Sequence, residues 1–377
     1  LQFSYSFSIK CRTFALKSNR NKQYQIATSN IKMKTYQQLW QSLTPLYDAG
    51  EAQAIVRTVL DVKYGMTLTD IICGKVNELS ADEERKLEEI IIRLQKGEPV
   101  QYVLGEADFA GRTFHVEPGV LIPRPETAEL CEWIVETQNE NWEKEEAIIR
   151  KEFNISPDVA FDDINMFEAK GWLKRKYLRL RYLVKMLHSY KKASHTKLVS
   201  PRPRIIDLCT GSGCIAITLS LEIPKSEVLG IDISDCACNV ATKNAKQLAS
   251  KASFSNDDIF DLLEKCKTNR KYHFEADIIV SNPPYICEKE KAEMEKNVLD
   301  YEPGLALFVP DEDPLKFYRA IAEFASLELR SWGLLYFEIN PLYEKETREM
   351  LEEFGFQDIE TKEDSFGKKR MMRAIKM

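Results

Sequence analysis

From Arg204 onward the chain repeats one pattern, a short apolar run followed by a stretch of helical length and spacing. The apolar runs are Ile205–Leu208, Val228–Ile233, Asp277–Ser281 and Leu334–Ile339. Helical spacing falls on Cys214–Leu221, Asp235–Ala249 and Tyr343–Phe354. Strands this apolar have no wet face and must be covered on both sides, which a parallel, doubly wound α/β sheet provides. The closing runs, Phe356–Glu360 and Arg370–Lys376, have no helix between them. They are expected to pair antiparallel and to finish the sheet in that sense.

The N-terminal part follows a different period. Leu39, Leu43 and Leu46 share one helical face, Ala52, Ile55, Val56, Val59 and Leu60 another, and Ile90, Ile91 and Leu94 a third. Spacings of three and four predict amphipathic helices, and Ser80 with Glu83 fits a capping box. A small helical bundle is therefore expected over 33–96; it contains no catalytic constellation, which suits docking a substrate partner or supporting the second domain. A β-hairpin linker follows over 97–125, with turn signals at Ala110-Gly111 and Pro118-Gly119. The α/β domain then comprises 126–137 and 201–377, interrupted by a charged insertion over 138–200. Ala169 to Ile206 holds no acid and many Lys and Arg. It reads as a solvated helical insertion, with nucleic-acid contact by the basic segment 170–204 as the less favoured reading.

Residues 1–32 carry six Lys/Arg and no acid. They read as a disordered extension ahead of a start at Met33, with a transit peptide as the alternative. The full length of 377 residues suits two domains, and a net charge of −6 gives no global attraction to nucleic acid. No apolar run approaches the roughly 18–20 residues that span a bilayer. None of the nine cysteines forms a CxxC pair, and the four histidines are scattered, so no metal site is expected. Unpaired thiols inside apolar runs suit a cytoplasmic protein, or a mitochondrial one should 1–32 be a transit peptide.

Four elements carry chemistry. Asp207-Leu-Cys209-Thr210-Gly211-Ser212-Gly213 joins a strand to a helix, and its glycines let backbone approach a ligand closely. Alone this is a weak nucleotide-site signal, and it is neither a Walker loop nor a full GxGxxG. Asp232 ends the next strand, where an acid can accept both ribose hydroxyls of an adenosine cofactor. Asp258 follows the third strand and can accept from an adenine amino group, with Ile259 against the ring. The most specific is Ser281-Asn282-Pro283-Pro284-Tyr285, directly after the strand residues Asp277–Val280. Two prolines cannot continue a central strand. They hold a rigid backbone at the carboxyl edge, where open α/β sheets bind ligands. There the Asn282 side-chain oxygen and the Pro283 carbonyl can accept both hydrogens of an –NH2 group. Tyr285 offers a π-face to a planar substrate.

This combination resembles the amino-methyltransferases that act on exocyclic nitrogens of adenine, cytosine or glutamine. Phe114-His-Val-Glu-Pro-Gly-Val-Leu-Ile-Pro-Arg-Pro-Glu-Thr127 narrows the resemblance to the HemK/PrmC family, peptide chain release factor N5-glutamine methyltransferases, which also have an N-terminal helical domain. It covers about residues 33–136 and 202–377. The resemblance implies a Rossmann-like class I methyltransferase fold. It implies S-adenosyl-L-methionine as cofactor, held by Asp207, Cys209, Thr210, Gly211, Ser212, Gly213, Asp232, Asp258, Ile259 and Asn282. Peptide chain release factors become the expected partners. The glutamine of their Gly-Gly-Gln motif would meet Asn282, Pro283, Pro284 and Tyr285, with Asn282, Pro283 and Tyr285 catalytic. Two departures stand out: Cys209 occupies a position that is usually glycine in the family, and the 138–200 insertion is outside the family pattern. The alternative substrate is an adenine N6 in DNA or RNA, reached by base flipping. The acidic balance and the want of a recognisable DNA-reading domain weigh against it.

Overall fold

A computed structural model describes residues 35–153, 202–269 and 273–377. The extension expected over 1–32 and most of the 138–200 insertion, with its basic stretch, lie outside the described residues. The chain divides into two compact units between Leu104 and Gly105.

The first unit is helical, with helices Tyr36–Gln41, Ala49–Tyr64, Leu68–Ile72, Ala81–Leu94 and Val100–Leu104. Leu39, Val56, Leu60, Ile91 and Leu94 are buried together in its core. The expected capping box forms: Ser80 Oγ accepts from the Glu83 amide, and Glu83 accepts from the Ser80 amide at 2.9 Å. Two expectations need correction. Leu46 is 53% exposed, because the first helix stops at Gln41 and a run of turns carries Leu46 off the shared face. Residues 100–104, read as part of the linker, form a helical turn whose Val103 and Leu104 join the first unit's core.

The second unit opens with a hairpin, β1 Glu106–Phe109 and β2 Arg112–His115. Ala110 and Gly111 form its turn with left-handed φ of 48° and 72°. The helix Pro125–Phe153 then runs 29 residues, past the expected edge at 137. Strands β3 Arg204–Leu208, β4 Glu227–Asp232, β5 Ser253–Asn256, β6 Ala276–Ser281, β9 Leu329–Glu338, β10 Phe356–Glu363 and β11 Lys369–Lys376 make a seven-stranded sheet. The short β7 Ile286–Cys287 and β8 Phe308–Val309 pair separately. In the large sheet the order is β10-β11-β9-β6-β3-β4-β5. Pairing is parallel from β9 to β5 and antiparallel at β11 and β10. The final strand thus inserts between β9 and β10.

Both faces of the central strands β3, β6 and β9 are buried, as their continuous apolar runs require. Ile206, Ile279, Leu335 and Phe337 enter one core cluster, while their neighbours Ile205, Ile278, Leu334 and Tyr336 enter the other. Helix Lys316–Glu328, not distinguished from sequence, supplies Ile321, Phe324 and Ala325 to the first cluster. β9 starts five residues earlier than expected. Its register with β6 breaks between Ala276↔Leu329 and Ile278↔Leu334, and the intervening Arg-Ser-Trp-Gly bulge interrupts the apolar run.

β3, β4 and β5 proceed in one direction, after which β6 and β9 lie on the other side of β3. The strand order therefore reverses between β3 and β6, where doubly wound sheets open a crevice at their carboxyl edge. Ser281 Oγ donates to the Leu208 carbonyl at 2.6 Å and ties these two strand ends together.

Candidate active site

The loop after β3 is built around Asp207, which is fully buried. One carboxylate oxygen accepts from the Thr210 hydroxyl at 2.5 Å and from the Ala216 amide at 3.1 Å, joining loop and helix start. Gly213 has φ 79°, and a Cβ there would lie 2.9 Å from the Ala241 methyl. A side chain at 213 would push the Asp235–Gln247 helix off the loop. Cys209 adopts φ 60°. That left-handed conformation costs a residue with a Cβ roughly 1–2 kcal/mol, which accounts for the usual glycine there. The backbone adopts the glycine-type turn despite the substitution.

Burial pushes the Asp207 carboxyl up to about 7, against an ordinary value of 3.8. The folded chain therefore keeps this proton between the two values, where the unfolded chain has lost it. Stability from neutral Asp207 is full below the lower value and is lost as pH rises through the upper one, on the order of 4 kcal/mol. Asp207→Asn keeps the shape and one acceptor without the charge. In thermal melts of the cofactor-free protein its melting temperature is expected to climb relative to wild type between about pH 4 and pH 7. A difference that stays constant with pH would contradict the raised pKa.

Asp232, at the end of β4, accepts from the Gly211 amide and the Ser234 amide, both at 2.9 Å. It therefore shapes the Gly211 turn and begins the next helical segment, with lone pairs left over on both oxygens. Asp258 caps the Ile259–Thr268 helix, accepting from the Phe260 amide at 2.8 Å. Ile259 is 7% exposed and belongs mainly to the core. Thr210 and Ser212 are buried beneath the loop, and Ser212 gives its carbonyl to Asn244 Nδ2.

Asn282, Pro283, Pro284 and Tyr285 leave the end of β6 directly beside this loop. Pro283 and Pro284 are buried, while Asn282 and Tyr285 are partly exposed. Tyr285 is held at both ends. Its carbonyl accepts from Asn340 Nδ2 at 3.1 Å, and its hydroxyl donates to Glu338 Oε1 at 2.9 Å. Burial, then the Glu338 charge, pushes the Tyr285 phenol well above its ordinary value, so it stays protonated at neutral pH.

Four residues without an assigned role from sequence, Glu338, Thr127, Arg124 and Glu302, complete the site. Glu338 ends β9 with 2% exposure, and its other oxygen accepts from Thr127 Oγ1 at 2.6 Å. Thr127 in turn accepts from Asn282 Nδ2 at 3.1 Å. Arg124 reaches Glu302 at 2.5 Å, and Glu302 also accepts from the Ile122 amide, clamping the proline-bounded segment to the chain that follows Tyr285. The available signal was an acid inside an apolar run, Phe337-Glu338-Ile339, since charges are seldom buried without a task.

The fold, with its antiparallel final hairpin, the glycine loop and the acids ending consecutive strands, defines a class I methyltransferase. Residues 193–300 match the family described as methyltransferase small domain, and residues 44–105 match the PrmC N-terminal domain. The chain is 40% identical to the release factor glutamine methyltransferase of Bacteroides thetaiotaomicron, over 89% of this chain and 96% of that one. It is 34% identical to that of Flavobacterium psychrophilum, over 90% and 98%. Among solved structures, a T. thermophilus 16S rRNA methyltransferase in complex with AdoMet and guanosine is 18% identical, with a TM-score of 0.41 over 72% of this chain and 50% of that one. The chain belongs to the release factor glutamine methyltransferase family. No described helix is long and apolar enough to cross a membrane.

Proposed function

We propose that the chain transfers a methyl group from S-adenosylmethionine to the side-chain amide nitrogen of the Gly-Gly-Gln glutamine in peptide chain release factors. The observation that carries this reading is the Ser281–Leu208 tie, which sets the glycine loop and Asn282–Tyr285 side by side at the strand-order reversal. The residues present suit the cofactor. Asp207 keeps one buried carboxylate oxygen with no partner among the described residues, and Asp232 and Asp258 add acceptors at the next two strand ends. Space around Gly211 is open, since nothing lies within 4 Å of a Cβ built there. The adenosine would take Asp232 through its ribose and Asp258 through its amino group, alongside Cys209, Thr210, Ser212 and Gly213. When bound, the cofactor supplies an electrophilic methyl group.

An amide nitrogen is a poor nucleophile because its lone pair is delocalised, and removing its proton first would cost too much. The chain acts by position and charge. Asn282 Oδ1 and the Pro283 carbonyl accept the two N–H bonds and turn the lone pair toward the methyl group. Such orientation can supply about 7–11 kcal/mol, and the same acceptors stabilise the cation that develops on nitrogen. Tyr285 and Pro284 hold the amide plane. The methylated, protonated amide is a strong acid and gives its proton to water.

Methyl transfer from labelled cofactor to an intact release factor, with mass mapping of the modified glutamine, tests the reading. Label found on adenine of DNA or RNA, and none on the factor, would replace it with the nucleic-acid alternative. Within the same assay, Asp232→Ala is expected to weaken cofactor binding by about 1.5–3 kcal/mol through lost charge-assisted hydrogen bonds. Calorimetry measures this directly, and an unchanged dissociation constant would remove Asp232 from the site.

A further inference from the structure

Asn282 can present either end of its amide to a substrate, and only one end is useful here. Its oxygen accepts from an –NH2 group, whereas its own –NH2 would repel one. The two ends are nearly equal in shape, so packing alone does not choose between them. Hydrogen bonds must.

The choice is made by residues far away in the chain. Thr127 lies at the start of the Pro125–Phe153 helix, and its hydroxyl sits between Glu338 Oε2 at 2.6 Å and Asn282 Nδ2 at 3.1 Å. Burial raises the Glu338 carboxyl, while the Thr127 and Tyr285 hydroxyls and the Arg370 charge favour its ionised form; the ionised carboxylate only accepts, so the hydroxyl proton points to Glu338. The remaining lone pairs of Thr127 Oγ1 can then only accept, and the group they accept from is the –NH2 end of Asn282. Asn282 Oδ1 makes no hydrogen bond to any described residue and is the end left for a ligand. Glu338 is buried to 2% exposure, and its second oxygen holds the Tyr285 hydroxyl at 2.9 Å. Arg370, held by Asp364 at 3.0 Å, approaches the Tyr285 hydroxyl at 3.4 Å and supplies a nearby countercharge. A carboxylate so deeply buried is costly to the fold. One group that orients two motif side chains at once gives a reason for it.

We propose that Glu338 and Thr127 form a positioning relay that sets the polarity of Asn282, so that the site accepts an amide and rejects a carboxylate. Neither residue touches the substrate. The inference rests on the reading of Asn282 as the acceptor for the reacting amide. It adds a source of selectivity: glutamate has the size of glutamine but offers two acceptors, which face the Asn282 oxygen as like charge.

Thr127→Val and Thr127→Ser test the relay, each assayed with a Gly-Gly-Gln peptide and inhibited by the matching Gly-Gly-Glu peptide. Valine keeps the shape and removes the hydroxyl, freeing the Asn282 amide to turn over. Turnover is expected to fall about 10- to 100-fold from misorientation of the reacting group. The preference for Gln over Glu peptide should narrow at least about tenfold, equivalent to one hydrogen bond reversed. Cofactor affinity should stay close to wild type, while the melting temperature should fall with valine, which leaves the buried Glu338 Oε2 without its donor, and recover with serine. Serine restores the hydroxyl, and should recover most of both the turnover and the preference. The relay is overturned if valine matches wild type, if serine is as impaired as valine, if the Gln/Glu preference stays constant, or if cofactor affinity falls in step with turnover. A wild-type chain that methylates neither the peptide nor the intact factor overturns the proposed function, and the relay with it.

Discussion

Asn282→Ala is expected to lower methyl transfer by about 10²–10³-fold, the usual consequence of losing one preorganised partner of a developing charge. Cofactor affinity should stay within about tenfold, because the reacting nitrogen gains most from Asn282 as it becomes cationic. The structure sharpens this expectation. With the –NH2 end of Asn282 committed to Thr127, alanine removes both an acceptor for the substrate and a partner for Thr127. Water can hydrate the site but cannot orient the amide. Single-turnover kinetics with saturating cofactor isolates the chemical step. Retention of more than a tenth of wild-type turnover would show that Asn282 does not hold the reacting group.

The parts legible in the sequence were those encoded by near neighbours. Asp207 to Gly213, Asp232 and the Asn282–Tyr285 turn each declare themselves within a few residues, because a strand end, a tight loop and a helix start are local events. The apolar runs likewise revealed a doubly covered sheet, since burial on both faces leaves no alternation to hide. What stayed hidden depended on tertiary proximity. Thr127 and Glu338 are 211 residues apart in the chain and meet only after the sheet forms. Glu338 stands out as an acid in an apolar run, but nothing at either position names the other as its partner. The Arg124–Glu302 clamp is unreadable for the same reason. Leu46 illustrates the opposite error, where a three-residue spacing outlived the helix that gave it meaning. Cys209 lies between these cases: the family pattern flags the position, but only the positive φ explains what the substitution costs.

Removing residues 1–104 is expected to leave cofactor binding nearly intact and to damage transfer to an intact release factor selectively. The cut falls between the two units, and the second retains its own core clusters and its hairpin, whose first bond joins the Val116 amide to the Gly105 carbonyl. All the residues assigned to cofactor and amide lie in that second unit. Yet a pocket that recognises a planar –NH2 group cannot choose one glutamine among many, so selection must draw on binding energy remote from the reacting atom. The helical unit, which matches the family's N-terminal domain, is the surface proposed to provide it. Each 1.4 kcal/mol of docking energy lost would cost about tenfold in kcat/KM. A loss of about 100-fold on the intact factor is therefore expected from a docking contribution near 3 kcal/mol. A short Gly-Gly-Gln peptide has no surface to dock, and its kcat/KM should change by no more than about threefold. Parallel assays of the two substrates with full-length and truncated chains make the comparison. Equal losses on peptide and factor would assign the helices to supporting the catalytic unit instead, and an unchanged rate on both would leave selection to the second unit alone.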